Sequence, residues 1–250
     1  MLDASSLLII AGTFLVAGAV KGVIGLGLPS VSLAFLAVAM DLPTAMALLL
    51  VPSFVTNIWQ SVVGGSARAI LVRLWPFLAM ATITVWIGAA ALTRINLLLL
   101  TALLGGLLIT YSVVNLVGFR MVISSRQERW AGPLFGVANG VLTGMTGSFV
   151  VPGVMFLQAI GLPRNMLIQA MGMLFTVSTV ALAAALQQSN FLTLQSGAIS
   201  VAAVIPAIAG MILGQRIRNR LSEQTFRTVF FVSLFILGTY IIASSLRVFY

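Results

Sequence analysis

The chain has 250 residues, 60% of them hydrophobic and 7% charged, with 13 basic residues against four acidic ones and a formal net charge of +9. A mean hydropathy of +1.16 is far above what a soluble domain keeps in water, so the chain reads as an integral membrane protein. The absence of cysteine and histidine excludes disulfides, thiolate or imidazole metal sites and Cys/His or Ser/His catalysis. Four scattered carboxylates (Asp3, Asp41, Glu128, Glu223) leave no obvious acid–base pair, so no enzyme activity, metal or cofactor is expected. The arginines lie in short loops between apolar segments, where membrane orientation explains them better than nucleic-acid binding does.

In chain order, apolar segments of helical character fall at about 5–21, 29–40, 44–63, 70–92 and 97–118. A second set follows at about 131–147, 149–160, 165–186, 193–215 and 226–247. The first segment carries Asp3 where a cleaved signal peptide has a basic start, and it is expected to remain as a helix. Between the first two segments stands "KGVIGLGLP", with the only lysine, Lys21, followed by Gly25, Gly27 and Pro29. Asp41 precedes "LP" and suits an N-cap. Asn57, Gln60 and Gln169 lie inside apolar segments, where contact with a substrate and bonding across helices are both open. The polar stretch "SSRQER" at 124–129 divides the chain into a first repeat, 1–119, a connecting cytoplasmic loop, 120–130, and a second repeat, 131–250.

The halves echo each other in order: "GVIGLG" (22–27) with "GVLTGMTG" (140–147), and "DLPTAMALLLVPS" (41–53) with "GLPRNMLIQAMGM" (161–173). Weaker echoes join "IGAAALTRINL" (87–97) to "LGQRIRNRLSE" (213–223) and "LLITYSV" (107–113) to "ILGTYII" (236–242). With its glycine-rich break, proline-bearing helix and short "LP" turn in each half, the chain resembles the TauE/SafE sulfite exporters, also described as the 4-toluene sulfonate uptake permease family. That resemblance implies a bacterial inner-membrane transporter that exports sulfite or an organosulfonate. One departure is "GLGLP" in the first half, where the family more often has a denser glycine run.

Charge decides between two topologies. If segments 5–21 and 29–40 form a re-entrant hairpin, ten arginines share one face and only Arg94 and Arg247 lie opposite. If they cross together as one broken span, the arginines divide evenly. The positive-inside rule favours the hairpin, with both termini outside and three full crossings per half. An odd number of crossings inverts the second half relative to the first, so the expected fold is an all-α polytopic membrane protein of two inverted repeats.

A re-entrant break is tolerated where protein or a watery cavity surrounds it. Gly25 and Gly27 would permit the turn, and Ser30 lies in the first turn of the outgoing helix. The second break offers Thr143, Thr146, Gly147 and Ser148. The expectation is that the two breaks converge at the midplane on a small sulfur oxyanion, with Lys21 and, opposite it, Asn139, and with Asn57 nearby. Snorkelling of Lys21 and plain helix packing by the glycines are the competing structural readings. A passive anion channel and a non-transporting membrane assembly subunit are the alternative functions. The expected partners are the oxyanion and the lipid bilayer, and a homodimer is left open. With no carboxylate expected inside a span, transport is expected to be driven by membrane potential, without proton exchange.

Overall fold

The computed structural model describes residues 3–119, 121–218 and 223–247, which are helical apart from short connections. Helix α1 covers Ala4–Ile24, α2 Leu28–Ala39, α3 Leu42–Val62, α4 Ala67–Ile83 and α5 Val85–Ala89, continued by a 3-10 turn at Ala90–Thr93. Helix α6 is Leu97–Val117, α7 Ser125–Thr146, α8 Gly153–Ala159, α9 Arg164–Gln188, α10 Leu194–Ala202, α11 Val204–Arg218 and α12 Glu223–Arg247. Among the described residues seven runs are long and apolar enough to span a bilayer: α1, α3, α4 through residue 93, α6, α9, α10 with α11, and α12. The chain is an all-helical, multi-pass membrane protein.

Local chemistry sets the helix ends. Asp3 accepts the Ser6 N–H and Asp41 accepts the Thr44 N–H at 2.9 Å, each satisfying a first-turn donor, so Asp41 fills its expected capping role. Ser124 and Gln127 form a capping box that starts α7 at Ser125. Most of the polar stretch expected to be a loop over 120–130 is therefore helix: the Ser-x-x-Gln spacing outweighs the polar composition. Helix α1 also runs further than expected, to Ile24, so Lys21 belongs to its last turn.

Glycine decides how closely the helices approach, and the register shows their directions. A Cβ on Gly18 would stand 2.1 Å from the Ala207 carbonyl oxygen, and one on Gly22 would stand 2.2 Å from that of Met211, so α1 and α11 run parallel in near-backbone contact. Gly136 meets Phe77, Gly140 meets Ala81 and Gly144 meets Val85, so α7 runs parallel to α4 and α5 in the same way. Contacts of Ser53 with Thr179 and of Gln60 with Ile168 make α3 and α9 antiparallel. Gly105 on Gly238 and Asn115 on Arg227 make α6 and α12 antiparallel.

These directions require both breaks to be hairpins. Since α11 returns from α9, it runs with α3, and so does α1; the intervening α2 must run back against both. In the second half, Arg73 bonds Glu128 near the start of α7 and also the Ile160 carbonyl just past α8, while the Ile123 N–H donates to the Ala159 carbonyl. Thus α7 starts and α8 ends at one end of the molecule. That end carries Arg68, Arg73, Arg126, Arg129, Arg164, Arg216, Arg218 and Arg227, with Trp59, Trp75 and Trp130 exposed around it. Arg94 and Arg247 lie at the other end, and Arg120 and Arg220 lie outside the described residues.

The glycine contacts yield a paired test. Gly22→Ala drives a methyl into the α11 backbone and should lower stability by about 1–3 kcal/mol. Gly12→Ala, with nothing within 4 Å of the new methyl, should be neutral or stabilising by up to about 1 kcal/mol. Thermal unfolding of both variants in detergent checks the contrast, and equal midpoints would contradict the packing.

Candidate functional site

The first hairpin turns on two left-handed glycines, Gly25 at φ +86° and Gly27 at φ +107°, a conformation other residues rarely adopt. The Gly25 N–H bonds the Lys21 carbonyl at 2.7 Å, closing α1, and Pro29 sits in the first turn of α2. A side chain on Gly25 would meet nothing within 4 Å, whereas one on Gly27 would meet Val20 and the Phe230 ring. Gly25 therefore faces open space and Gly27 is a packing position.

Lys21 is 5% exposed. Its ammonium donates to Asn57 Oδ1 and, at 3.1 Å, to Thr56 Oγ1, both on α3. Asn57 Nδ2 donates to Ser53 Oγ at 3.0 Å, and Ser53 shares a hydrogen bond with Thr179 of α9 at 3.3 Å. The lysine thus heads a polar chain through α1, α3 and α9. It has no carboxylate partner among the described residues, and a third N–H has no acceptor there. Its side chain is turned into the helix packing and not out to an exposed surface. Nearby in sequence, Ser32 turns its hydroxyl back to the Leu28 carbonyl, but the buried Ser30 hydroxyl has no partner.

The second hairpin is built differently. Gly147, at φ +74°, caps α7 by donating its N–H to the Thr143 carbonyl at 2.7 Å. The Thr143 hydroxyl donates to the Ser148 carbonyl, and the Thr146 hydroxyl donates to the Leu142 carbonyl while accepting the Ser148 N–H. These hydroxyls satisfy the loop's own backbone. Asn139 Oδ1 accepts the Gly153 N–H at 2.9 Å at the start of α8, which leaves the buried Asn139 Nδ2 unpartnered.

Two expectations change here. Each capping glycine bonds the residue four before it, so the structural counterpart of Lys21 is Thr143, not Asn139. Nor do the two breaks meet at one point: Lys21 reaches α3 at Thr56 and Asn57, whereas Gly147 packs on Met46 and on Leu33 of α2. At a rise of 1.5 Å per residue, the two contacts on α3 are about 15 Å apart. Parallel packing carries each long arm past the middle of its neighbour, so the arms overlap in depth and their tips pass one another. One small anion cannot touch both.

Gln60 and Gln169 resolve as cross-helix clamps. Gln60 donates to the Ile168 carbonyl, and Gln169 donates to the Ser61 carbonyl and accepts the Ser66 N–H. Sequence reasoning missed Thr56, Ser53 and Thr179; the i, i+4 spacing of Ser53 and Asn57 on one face of α3 was the available signal. It also missed Ser200. Pro52 leaves the Leu48 carbonyl without its helical donor, and the Ser200 hydroxyl of α10 fills that place at 2.8 Å while accepting the Val51 N–H.

Two cavities open toward the arginine-bearing end. One, of about 400 Å³, lies between α4 and α7 beside Arg73, Glu128 and Arg129. The other, of about 550 Å³, lies between α8 and the α6–α12 pair beside Asn115, Gln158 and Arg227. Neither is lined by Lys21.

The family model described as Sulfite exporter TauE/SafE matches residues 10–241. No curated protein and no solved structure matches the chain. Since that match spans nearly the whole of a chain already seen to be a multi-pass helical membrane protein with paired helix breaks, the protein belongs to the sulfite exporter TauE/SafE family of membrane transporters.

Proposed function

We propose that the protein exports sulfite or an organosulfonate across the bacterial inner membrane, and that Lys21, with Asn57 and Thr56 behind it, is the primary anion contact. The observation that carries this reading is a buried lysine ammonium held only by neutral oxygens, with an N–H left over for a ligand. The side-chain atoms buried without partners among the described residues, Ser30 Oγ, Asn139 Nδ2 and Ser178 Oγ, are all capable of donating. Of these, Ser30 belongs to the first break with Lys21, and an unmet donor there suits an oxyanion.

The architecture is read as two inverted repeats, 1–119 and 125–250, with the linking segment shortened to end at Ser124. The antiparallel pairs α3–α9 and α6–α12, and the matching parallel pairs α1–α11 and α7–α4, support it. The arginine-bearing end is assigned to the cytoplasm, with both termini periplasmic. Cavities at that end favour a carrier with one-sided access over an open channel.

Flux of labelled sulfite into liposomes tests the site. Lys21→Ala should abolish saturable flux without loss of monodispersity, and Lys21→Arg should retain part of it. Normal saturable flux in Lys21→Ala would overturn the assignment.

Orientation is tested by a reporter active only in the cytoplasm. Fused after Tyr250 it should be silent, and inserted at the exposed Val122 it should be active; the reverse pattern rejects the assigned orientation.

Energy coupling follows from where the carboxylates sit. Asp3 and Asp41 cap helix starts, Glu128 pairs with Arg73 at 2.7 Å, and Glu223 begins α12. None of these positions supplies a proton relay inside a span. With the cytoplasm negative, outward movement of one negative charge is favoured by about 2.3 kcal/mol per 100 mV. In liposomes with voltage set by potassium and valinomycin and pH equal on both sides, anion flux should follow the imposed potential. A permanently ionised sulfonate serves as control for sulfite protonation; flux driven by a pH step at zero voltage and indifferent to potential would refute this.

A further inference from the structure

The 550 Å³ cavity adjoins the first hairpin through a single aromatic pair. Its wall includes Arg227, whose guanidinium donates to Asn115 Oδ1 at 3.0 Å and lies 5.6 Å from the centre of the Phe231 ring. Phe231 is 3% exposed, rests edge-on against Tyr111 at 5.1 Å, and contacts Phe230 at 4.9 Å. Phe230, 5% exposed, turns the other way: a Cβ on Gly27 would lie 3.2 Å from its ring. Gly27 is the second glycine of the turn that follows Lys21. From cavity to hairpin tip the order is therefore Arg227, Phe231, Phe230, Gly27.

Gln158 and Asn115 also line the cavity, with Met155 and Leu167 as apolar wall. Arg227 and Asn115 on the α6–α12 wall face Gln158 on α8 across a cleft that also has apolar wall, an arrangement that suits an anion with an attached hydrocarbon group, because the head is bound by charge and the remainder by burial. We propose that this cavity is the cytoplasmic access vestibule, that Arg227 captures the sulfonate or sulfite headgroup there, and that the Phe230–Phe231 pair is the barrier between the vestibule and Lys21. This rests on the transport reading above. Arg227 acts before the primary site, and the phenylalanines separate the two.

Because the natural chain has no cysteine, single introduced thiols report on each compartment. Gln158→Cys, exposed in the vestibule, is labelled with an anionic methanethiosulfonate reagent and with a neutral one of similar size. Arg227→Ala should cut the anionic-to-neutral rate ratio by roughly tenfold, and Arg227→Lys should restore much of it. Methanesulfonate should slow anionic labelling in the presence of Arg227 only. An unchanged ratio removes Arg227 from capture.

Thr56→Cys, beside Lys21, tests the barrier. It should label slowly from the cytoplasmic side, and several-fold faster when Phe230→Ala is added. Phe230→Leu should give an intermediate rate and guards against a folding defect in the alanine variant. If neither substitution speeds labelling in monodisperse protein, the aromatic pair is no barrier. These rates need no transport, so a chain that moves no sulfite at all would refute the proposed function while leaving the vestibule separately testable.

Discussion

A helix broken inside a membrane frees backbone N–H and C=O groups that lipid cannot satisfy, and the rest of this structure follows from how those groups are answered. Both long hairpin arms end on a left-handed glycine that returns its N–H to the carbonyl four residues back. Beyond that cap the two breaks differ. The second break needs the hydroxyls of Thr143 and Thr146 and the carboxamide of Asn139 to satisfy residues 148 and 153. The first manages with glycines and a proline. The richer polar cluster is therefore the less available one, and the sparser break leaves Lys21 and Ser30 with capacity for a ligand. The same constraint explains Ser200, which answers the carbonyl that Pro52 strands in α3.

Much of the fold was legible because its signals are local. Asp41 before "LP" marked a helix start, and Gly25, Gly27 and Pro29 marked a turn, since each residue acts through its own backbone angles or a donor three residues away. The hairpin topology was legible for a different reason: the arginine asymmetry is a property of the whole chain. The depth of each tip was not legible. It depends on Gly18 and Gly22 meeting Ala207 and Met211, a register between segments far apart in sequence. Matching glycine motifs alone aligned Lys21 with Asn139, and only the cap geometry shifts the correspondence one helical turn to Thr143. Ser200 carried no sequence signal, because its importance comes from a proline in another helix.

The close glycine contacts also bear on motion. α1 and α11 meet backbone to backbone, as do α7 and α4, so each hairpin's long arm is joined tightly to a span of the opposite half. The α3–α9 contact has its own close approach, at Gly172 against the Gln60–Ser61 backbone, and adds side-chain hydrogen bonds from Gln60, Gln169 and Ser53. Asn57, which holds Lys21, is tied to α9 through Ser53 and Thr179, so a relative shift of α3 and α9 alters what the ammonium can reach.

The anion preference proposed for this site would have a simple electrostatic origin. A lysine paired with a carboxylate is neutral as a unit and attracts an anion weakly, whereas an unpaired buried ammonium is costly. Asn57 and Thr56 offer a middle course: their oxygens offset part of the desolvation cost through hydrogen bonds but cancel none of the charge. The carboxylates are kept from this region, Asp3 and Asp41 by their roles at helix starts and Glu128 by its bidentate pairing with Arg73. Among the described residues, the hydrogen-bond partners of Lys21 are neutral oxygens alone. On the proposed reading, a protonated Lys21 repels a cation there, while an oxyanion takes the third N–H of the ammonium without displacing either neutral partner.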